Sequence, residues 1–454
     1  MKLEQGMIYI KDVVGGSENS VKDGVLTVDV EGLKACLLED PKVKAVEVDF
    51  AKPGEHTRIV PVKDVIEPRF NFDRVNGFPG MTAKYAECGN GKVNVLRGAA
   101  VVTIGDAVGF QEGVIDMWGE GALWTPFSKT YNVVVDITPI DGVDPHEHET
   151  IVRMAGLRAG TYVGLAAENA EVDEVKTWEL GPMKEETEKH PDLPKVAYVQ
   201  MTISQGLLHD VYMYGVDVKE IVPTWFHPNE ELDSAIVSGN CVAACDKITT
   251  YQHQTNPLTE DLYEQHGKTI NYIGNILSPE LTTLDGKFRN CDYTAKLCEQ
   301  MGADGVIVSE EGYGNPDSDL VMICKRLENR GIKTTLVTDE CSGWDGTSQP
   351  LTDTAPEAVA VVSSGNVSKV VELEPADKIL GNLKAAETVA GGWAGCVGDD
   401  GSLKVELNAV IGATSEIGYH NASVKLYLAR EGIQDVYESN LLSQPVLWRH
   451  RRRR

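Results

Sequence analysis

The chain has 454 residues, which at ~150 residues per domain suits about three domains, and it carries 42 basic against 69 acidic residues, a formal net charge of −27. Five basic residues, Arg449 and Arg451 to Arg454, crowd the last six positions, so the other 37 face 69 acidic ones and the body stands at −32. Such a body repels phosphate backbones and anionic lipid, which argues against nucleic-acid and membrane partners, and its 42 % hydrophobic share is that of a folded chain.

No stretch approaches the ~18 consecutive apolar residues of a membrane span. The N-terminus, MKLEQGMIYIKDVV, mixes charges into its apolar residues and holds no signal-peptide core. Nine cysteines, scattered singly except for Cys241 with Cys245 and Cys291 with Cys298, fit free thiols in a reducing cytoplasm.

In chain order, residues 7–10 form a short apolar run, and 25–30 and 43–48 alternate apolar with polar residues, the period of half-buried strands. Residues 109–130 carry four glycines, two tryptophans and a Thr-Pro, a composition that predicts an ordered loop. A helix is predicted over 145–160, with Asp144 as cap, Pro145 at the first position and an acidic first turn. A polar surface excursion follows over 180–194, then a strand over 195–202.

The second half alternates strand and helix. Strands are predicted over 268–277, 305–309, 332–338, 358–362 and 404–410, with helices over 293–302 and 317–329. Strand, loop, helix, glycine and strand within some 35 residues make a βαβ crossover. The fold class is therefore α/β, with an N-terminal mixed, β-rich domain followed by an open, mostly parallel sheet in the C-terminal half. Sites in such sheets lie beyond the carboxyl ends of strands, which singles out Ser309, Glu310, Glu311 and Asn315, and separately Asp339 and Glu340. The plainer alternative is that these acids cap helix N-termini.

Several familiar motifs are absent. There is no phosphate-binding G-x-x-x-x-G-K-[ST] loop, and Gly312-Tyr313-Gly314 meets Asp317 where a dinucleotide fingerprint needs its third glycine, so no nucleotide cofactor is expected. No G-x-S-x-G elbow occurs either. His146 and His148 are two apart on a predicted helix and share no face, so no metal is expected there. Within 206–215, His209 beside Asp210 reads equally as a proton-transfer pair or as the polar tips of a strand.

The segment 238–247, SGNCVAACDK, leaves more open. Cys241 and Cys245 can be core thiols one helical turn apart or a weak metal pair. A cysteine after Gly-Asn can instead attack the preceding carbonyl. The resulting thioester eliminates to dehydroalanine, which hydrolyses to an N-terminal pyruvoyl group. Gly239 and Asn240 suit the sharp turn this requires.

Taken with AKPGEHTRIVPVKDVIEPR (51–69), GFQEGVIDM (109–117), HEHE (146–149), QGLLHDVYMYGVD (205–217), VIVSEEGYGNPDSDL (306–320) and GATSEIGY (412–419), that segment resembles the proproteins of component B of the glycine, sarcosine and betaine reductases. The likeness runs to about Tyr427, and D-proline reductase proproteins are a more distant relative. It implies cleavage at Asn240-Cys241, giving a processed subunit of residues 1–240 and a pyruvoyl-bearing subunit of 241–427. The implied cofactor is the pyruvoyl group made from Cys241, with no metal. The implied partners are a selenocysteine-containing component B subunit, a small selenoprotein (component A), an acetyl-phosphate-forming component C and, indirectly, thioredoxin. The implied activity is cytoplasmic reductive deamination of glycine or an N-methylated glycine.

In that chemistry a ketone-type carbonyl condenses with the amine and makes nitrogen a better leaving group for an external selenolate. Betaine, whose quaternary nitrogen has no lone pair, cannot condense in this way. His209 and Asp246 are candidates for proton transfer, and Lys247, Arg58 and Arg69 for holding the substrate carboxylate; Cys245 has no assigned role. Three alternatives remain: a D-proline-reductase-like proprotein, an N-terminal-nucleophile amidohydrolase using the Cys241 thiol, and a non-catalytic scaffold for the selenoprotein. Residues 428–454 form an atypical basic tail, read as disordered or non-native. Cleavage would leave two acidic chains, of 22 basic and 39 acidic residues and of 20 and 30. Only a large apolar interface would hold them together.

Overall fold

Runs rich in Val, Ile and Thr build two six-stranded sheets. The computed structural model describes residues 1–109, 111–204, 210–239 and 243–418; the tail over 428–454 lies outside them. The first sheet runs Gly113–Asp116, Thr57–Ile66, Ala99–Ile104, Tyr131–Pro139, Val43–Ala51, with Lys378–Gly381 added in parallel to Thr57–Ile66. All ten residues of Thr57–Ile66 are buried, so the charges it carries at Arg58, Lys63 and Asp64 need partners within the protein. The helix Pro145–Gly164, capped by Asp144, lies on this sheet and runs one turn beyond its predicted end. Its approach is set by glycines: a Cβ at Gly156 would stand 2.3 Å from Thr103 Oγ1, and one at Gly160 2.6 Å from Ile66 Cγ2.

The second sheet runs Thr224–Phe226, Asn271–Glu280, Lys195–Ile203, Gly305–Ser309, Lys333–Glu340, Val361–Asn366, parallel except for the first strand. Helices Leu284–Met301 and Asn315–Glu328 cover one face through Cys291, Cys298, Leu320 and Ile323. Leu284–Met301 stops at Gly302, whose φ of 70° only glycine adopts at no steric cost. Helix Pro257–Gln265 covers the other face through Leu258 and Leu262, packed with Tyr198, Tyr272 and Ile248.

The mixed α/β class is as expected, but the sheet expected within 241–427 takes its inner strand, Lys195–Ile203, and its edge strand, Thr224–Phe226, from residues before 240. In return, Lys378–Gly381 joins the N-terminal sheet. Local pattern marks a strand and says nothing of which strand it pairs with, so this interlocking is invisible in the sequence. Two predicted coil regions are also partly regular. Residues 109–130 contain the strand Gly113–Asp116 and two short helical turns, Gly121–Trp124 and Pro126–Lys129. Gly113 serves packing there, since a Cβ would lie 2.3 Å from that of Ala244. The excursion over 180–194 contains the helix Met183–Lys189 with Glu186 buried. Residues 243–249 are turns and coil, so Cys245 does not sit on a helix.

Candidate functional site

The carboxyl ends of the parallel strands converge under the segment 243–250, which crosses them as a strap. Glu311, just past Gly305–Ser309, accepts the N–H of Ile203 and the N–H of Ile248, each at 3.1 Å. The strap is held from above by Gly412 N–H to Ala244 O and Thr414 N–H to Cys245 O, both 2.9 Å. Its far end is tied to the first sheet, where Asp64 accepts Thr250 N–H at 3.0 Å and Thr250 Oγ1 at 2.6 Å. Ser238 N–H donates to the same Thr250 hydroxyl at 3.1 Å, so the chain on either side of residues 240–242 is pinned to one point between the two sheets.

Asn240, Cys241 and His209 lie outside the described residues, and their neighbours adjoin. A Cβ on Gly239 would stand 2.6 Å from the carbonyl carbon of Asp210 and 2.8 Å from Val211 N, a backbone-to-backbone approach that admits glycine alone. The residue before Asn240 therefore rests on the residue after His209. Of the other candidates, Asp246 and Lys247 lie in the strap, both fully buried. The Lys247 amine donates to the carbonyl of Lys63.

Arg58 and Arg69 sit in separate buried networks. Arg58 pairs with Asp116 at 2.7 and 2.8 Å and donates to the carbonyls of Glu374 and Gly401. Arg69 pairs with Glu67 and donates to the carbonyls of Leu232 and Gln254. Their nitrogens are thus engaged in joining elements of the fold. His146 is exposed while His148 is buried, so the two point apart, as the spacing implies.

The strap carries its chemistry into an acidic interior. The Cys245 thiol donates to Asp246 Oδ1 at 3.1 Å, and burial pushes the Asp246 carboxyl up to about 7. Asp339, Glu310 and Glu416, all fully buried, are driven well above the ordinary carboxylate range by burial first and then by neighbouring acids: Asp246 and Asp317 for Asp339, Asp317 and Glu280 for Glu310, and Asp339, Asp246 and Glu310 for Glu416. The Cys245 thiol is itself held high, by burial and then by Asp246 and Asp339, so it stays a proton donor rather than a thiolate. Among the described residues, Asp246 Oδ2, Asp339 Oδ1 and both Glu416 oxygens have no hydrogen-bond partner.

Ligand atoms of Cys245, Asp246 and Asp339 lie within 4.8 Å of one another. Such a set can exchange protons near neutrality and can surround a cation, metallic or organic. In a second grouping, Glu186, His190 and His266, the His266 Nδ1 accepts Tyr272 N–H at 3.0 Å, which leaves its proton on Nε2, facing Glu186 at 3.2 Å, while His190 Nε2 stands 3.8 Å from Glu186.

Strand-end reasoning therefore finds Glu310, Glu311 and Asp339. It also names Ser309, which bonds Tyr198 OH at 2.7 Å, and Glu340, which accepts the Ser342 hydroxyl at 3.0 Å. Glu416 and the role of Cys245 escape it. Glu416 stands within GATSEIGY, but nothing in that string marks it as buried beside residues more than seventy positions away.

Residues 1–425 match the family model described as glycine/sarcosine/betaine reductase component B subunits. Over 430 residues, 94 % of this chain and all of the relative, the chain is 50 % identical to the glycine reductase complex component B subunits alpha and beta of Acetoanaerobium sticklandii. It is 48 % identical over 428 residues, again 94 % and all of the relative, to the sarcosine reductase complex component B subunit alpha of Peptoclostridium acidaminophilum. A D-proline reductase proprotein of Acetoanaerobium sticklandii is 23 % identical over 155 residues, 32 % of this chain and 24 % of that protein. No solved structure matches, and among the described residues no helix is long and apolar enough to cross a membrane. With nearly its whole length matched, the chain belongs to the family of glycine/sarcosine/betaine reductase component B subunits.

Proposed function

We propose that this chain is the precursor of the substrate-activating subunits of an amino-acid reductase, cleaved at Asn240-Cys241 to leave a pyruvoyl group on the second fragment. The observation that carries the reading is the strap: the two flanks of 240–242 are buried, pinned on Thr250 and Asp64, and followed by a carboxyl that titrates near neutrality. Cleavage balances without an oxidant. Two waters are consumed, Asn240 gains a carboxylate, the sulfur of Cys241 leaves as hydrogen sulfide and its nitrogen as ammonia. The carbonyl left behind supplies an electron sink that activates a substrate amine for displacement of its nitrogen.

The chain's own residues do the rest. Asp246, kept part protonated and backed by the Cys245 thiol, gives and takes protons, and we assign His209 the counterpart role on its adjacency in sequence to Asp210. The oxygens of Asp339, Glu310 and Glu416 that lack a partner among the described residues accept hydrogen bonds from the substrate amine. The substrate class is glycine or a mono-N-methylated glycine, supported by the identities of 50 % and 48 % to glycine and sarcosine reductase components. The partners are the selenocysteine-containing subunit, the small selenoprotein and the acetyl-phosphate-forming component, with thioredoxin as the indirect electron source.

Intact-mass measurement of freshly purified protein tests the reading. The expected result is two fragments, the second lighter than one beginning with cysteine, and inactivation of the complex by borohydride or hydroxylamine. A second fragment that keeps its thiol would select an N-terminal nucleophile instead. A single uncut chain, with full complex activity after Cys241→Ala, would select a scaffold.

A further inference from the structure

Beside the flank of the scissile bond lies a buried cation that no predicted role accounts for. Arg153, on the helix Pro145–Gly164, is 6 % exposed. Its Nη1 donates to Asp210 O at 3.3 Å, and its guanidinium carbon stands 5.1 Å from the Tyr212 ring centre. Its Nε and Nη2 have no hydrogen-bond partner among the described residues. Nor does it form an ion pair among those residues: Glu149, one turn before it, pairs with Lys63, and the Asp210 carboxylate pairs with Lys219 at 2.9 Å. A guanidinium is always charged and offers its donors as a planar fork, so leaving it buried and unpaired is costly unless an anion arrives.

We infer that Arg153 binds the carboxylate of the amino-acid substrate, an assignment that rests on the proposed amine-activating role of residue 241. Two features place it. The carbonyl group of Asp210, which accepts from Arg153, is the one against which Gly239 packs, so the fork lies beside the upstream flank of the Asn240-Cys241 bond. The downstream flank leads instead into the acids Asp246, Asp339 and Glu416. Among the described residues the two flanks therefore offer unlike groups, free donors at Arg153 and unpartnered acceptor oxygens on Asp246, Asp339 and Glu416, so a zwitterion would place its carboxylate toward the first and its ammonium toward the second. A planar bidentate contact would select α-amino acids over simple amines.

The test is isothermal titration of glycine, and of glycinamide, which keeps the amine and lacks the anionic carboxylate, into the purified full-length protein and its Arg153→Gln and Arg153→Lys variants. Intact masses are recorded for each sample. The unaltered protein is expected to prefer glycine. Arg153→Gln should weaken glycine roughly 10- to 100-fold, the value of a charge-assisted pair, with glycinamide unchanged, and Arg153→Lys should weaken glycine less. No preference in the unaltered protein, or an unchanged glycine-to-glycinamide ratio in both variants, overturns the assignment. An uncut mass counts against the carbonyl alone, because the ratio reports on Arg153 either way.

Discussion

Replacing Asp246 by Asn keeps the shape of the side chain and the oxygen that accepts from Cys245, and removes only the charge. The Asp246 carboxyl titrates from an ordinary 3.8 in the unfolded chain to about 7 in the folded one, chiefly because burial penalises the anion. Between those two values the folded state binds more protons than the unfolded state, so stability falls as pH rises through that window, and the full penalty is reached above it. A shift of about three units at ~1.4 kcal/mol each corresponds to on the order of 4 kcal/mol. Asp339, Glu310 and Glu416 shift in the same direction and steepen the fall. Denaturant unfolding at fixed protein concentration, compared at about pH 5.5 and pH 8, should show the unaltered protein losing stability toward pH 8. Asp246→Asn should lose less, by about 2 kcal/mol, because only the part of the window above pH 5.5 is crossed between the two conditions. Stability that is flat or rising with pH in the unaltered protein, or an equal loss in the variant, refutes the burial argument.

Three other outcomes follow from the geometry. If the chain is cut, the two fragments should stay together through native size-exclusion and separate only in denaturant, because Lys195–Ile203 is bonded on both sides by strands of the other fragment. Lys63→Met leaves Glu112 and Glu149 buried without their shared cation, and should cost about 3 to 5 kcal/mol in denaturant unfolding. Gly239→Ala drives a Cβ into the backbone of Asp210 and Val211; it should cost about 1 to 3 kcal/mol and raise the proportion of uncut chain seen by mass.

Much of the second sheet, and the start of the long helix on the first, was legible because these elements are locally encoded. The strand Gly305–Ser309, the stop of Leu284–Met301 at Gly302 and the Asp144-Pro145 start of the long helix each follow from a few adjacent residues. The candidate site was legible where it is local, in SGNCVAACDK and in the acids at the strand ends. It was not legible at Arg153, which in sequence is one arginine on an ordinary helix. Only the folded chain shows that its nearest acids are already paired. Arg58 and Arg69 show the reverse: their charge suggested substrate, and the folded protein engages their nitrogens internally.

By itself, then, the sequence determined the α/β class and the family, and it pointed to SGNC (238–241) as the segment at which cleavage is proposed, all carried by residues close together in the chain. The tertiary structure decided which strands share a sheet, that the two halves on either side of residue 240 are interlocked, and, among the described residues, which buried polar atoms keep no partner. Pairing and burial are relations between residues far apart in the chain. No local pattern records the partner that a strand, a carboxylate or a guanidinium finds on folding.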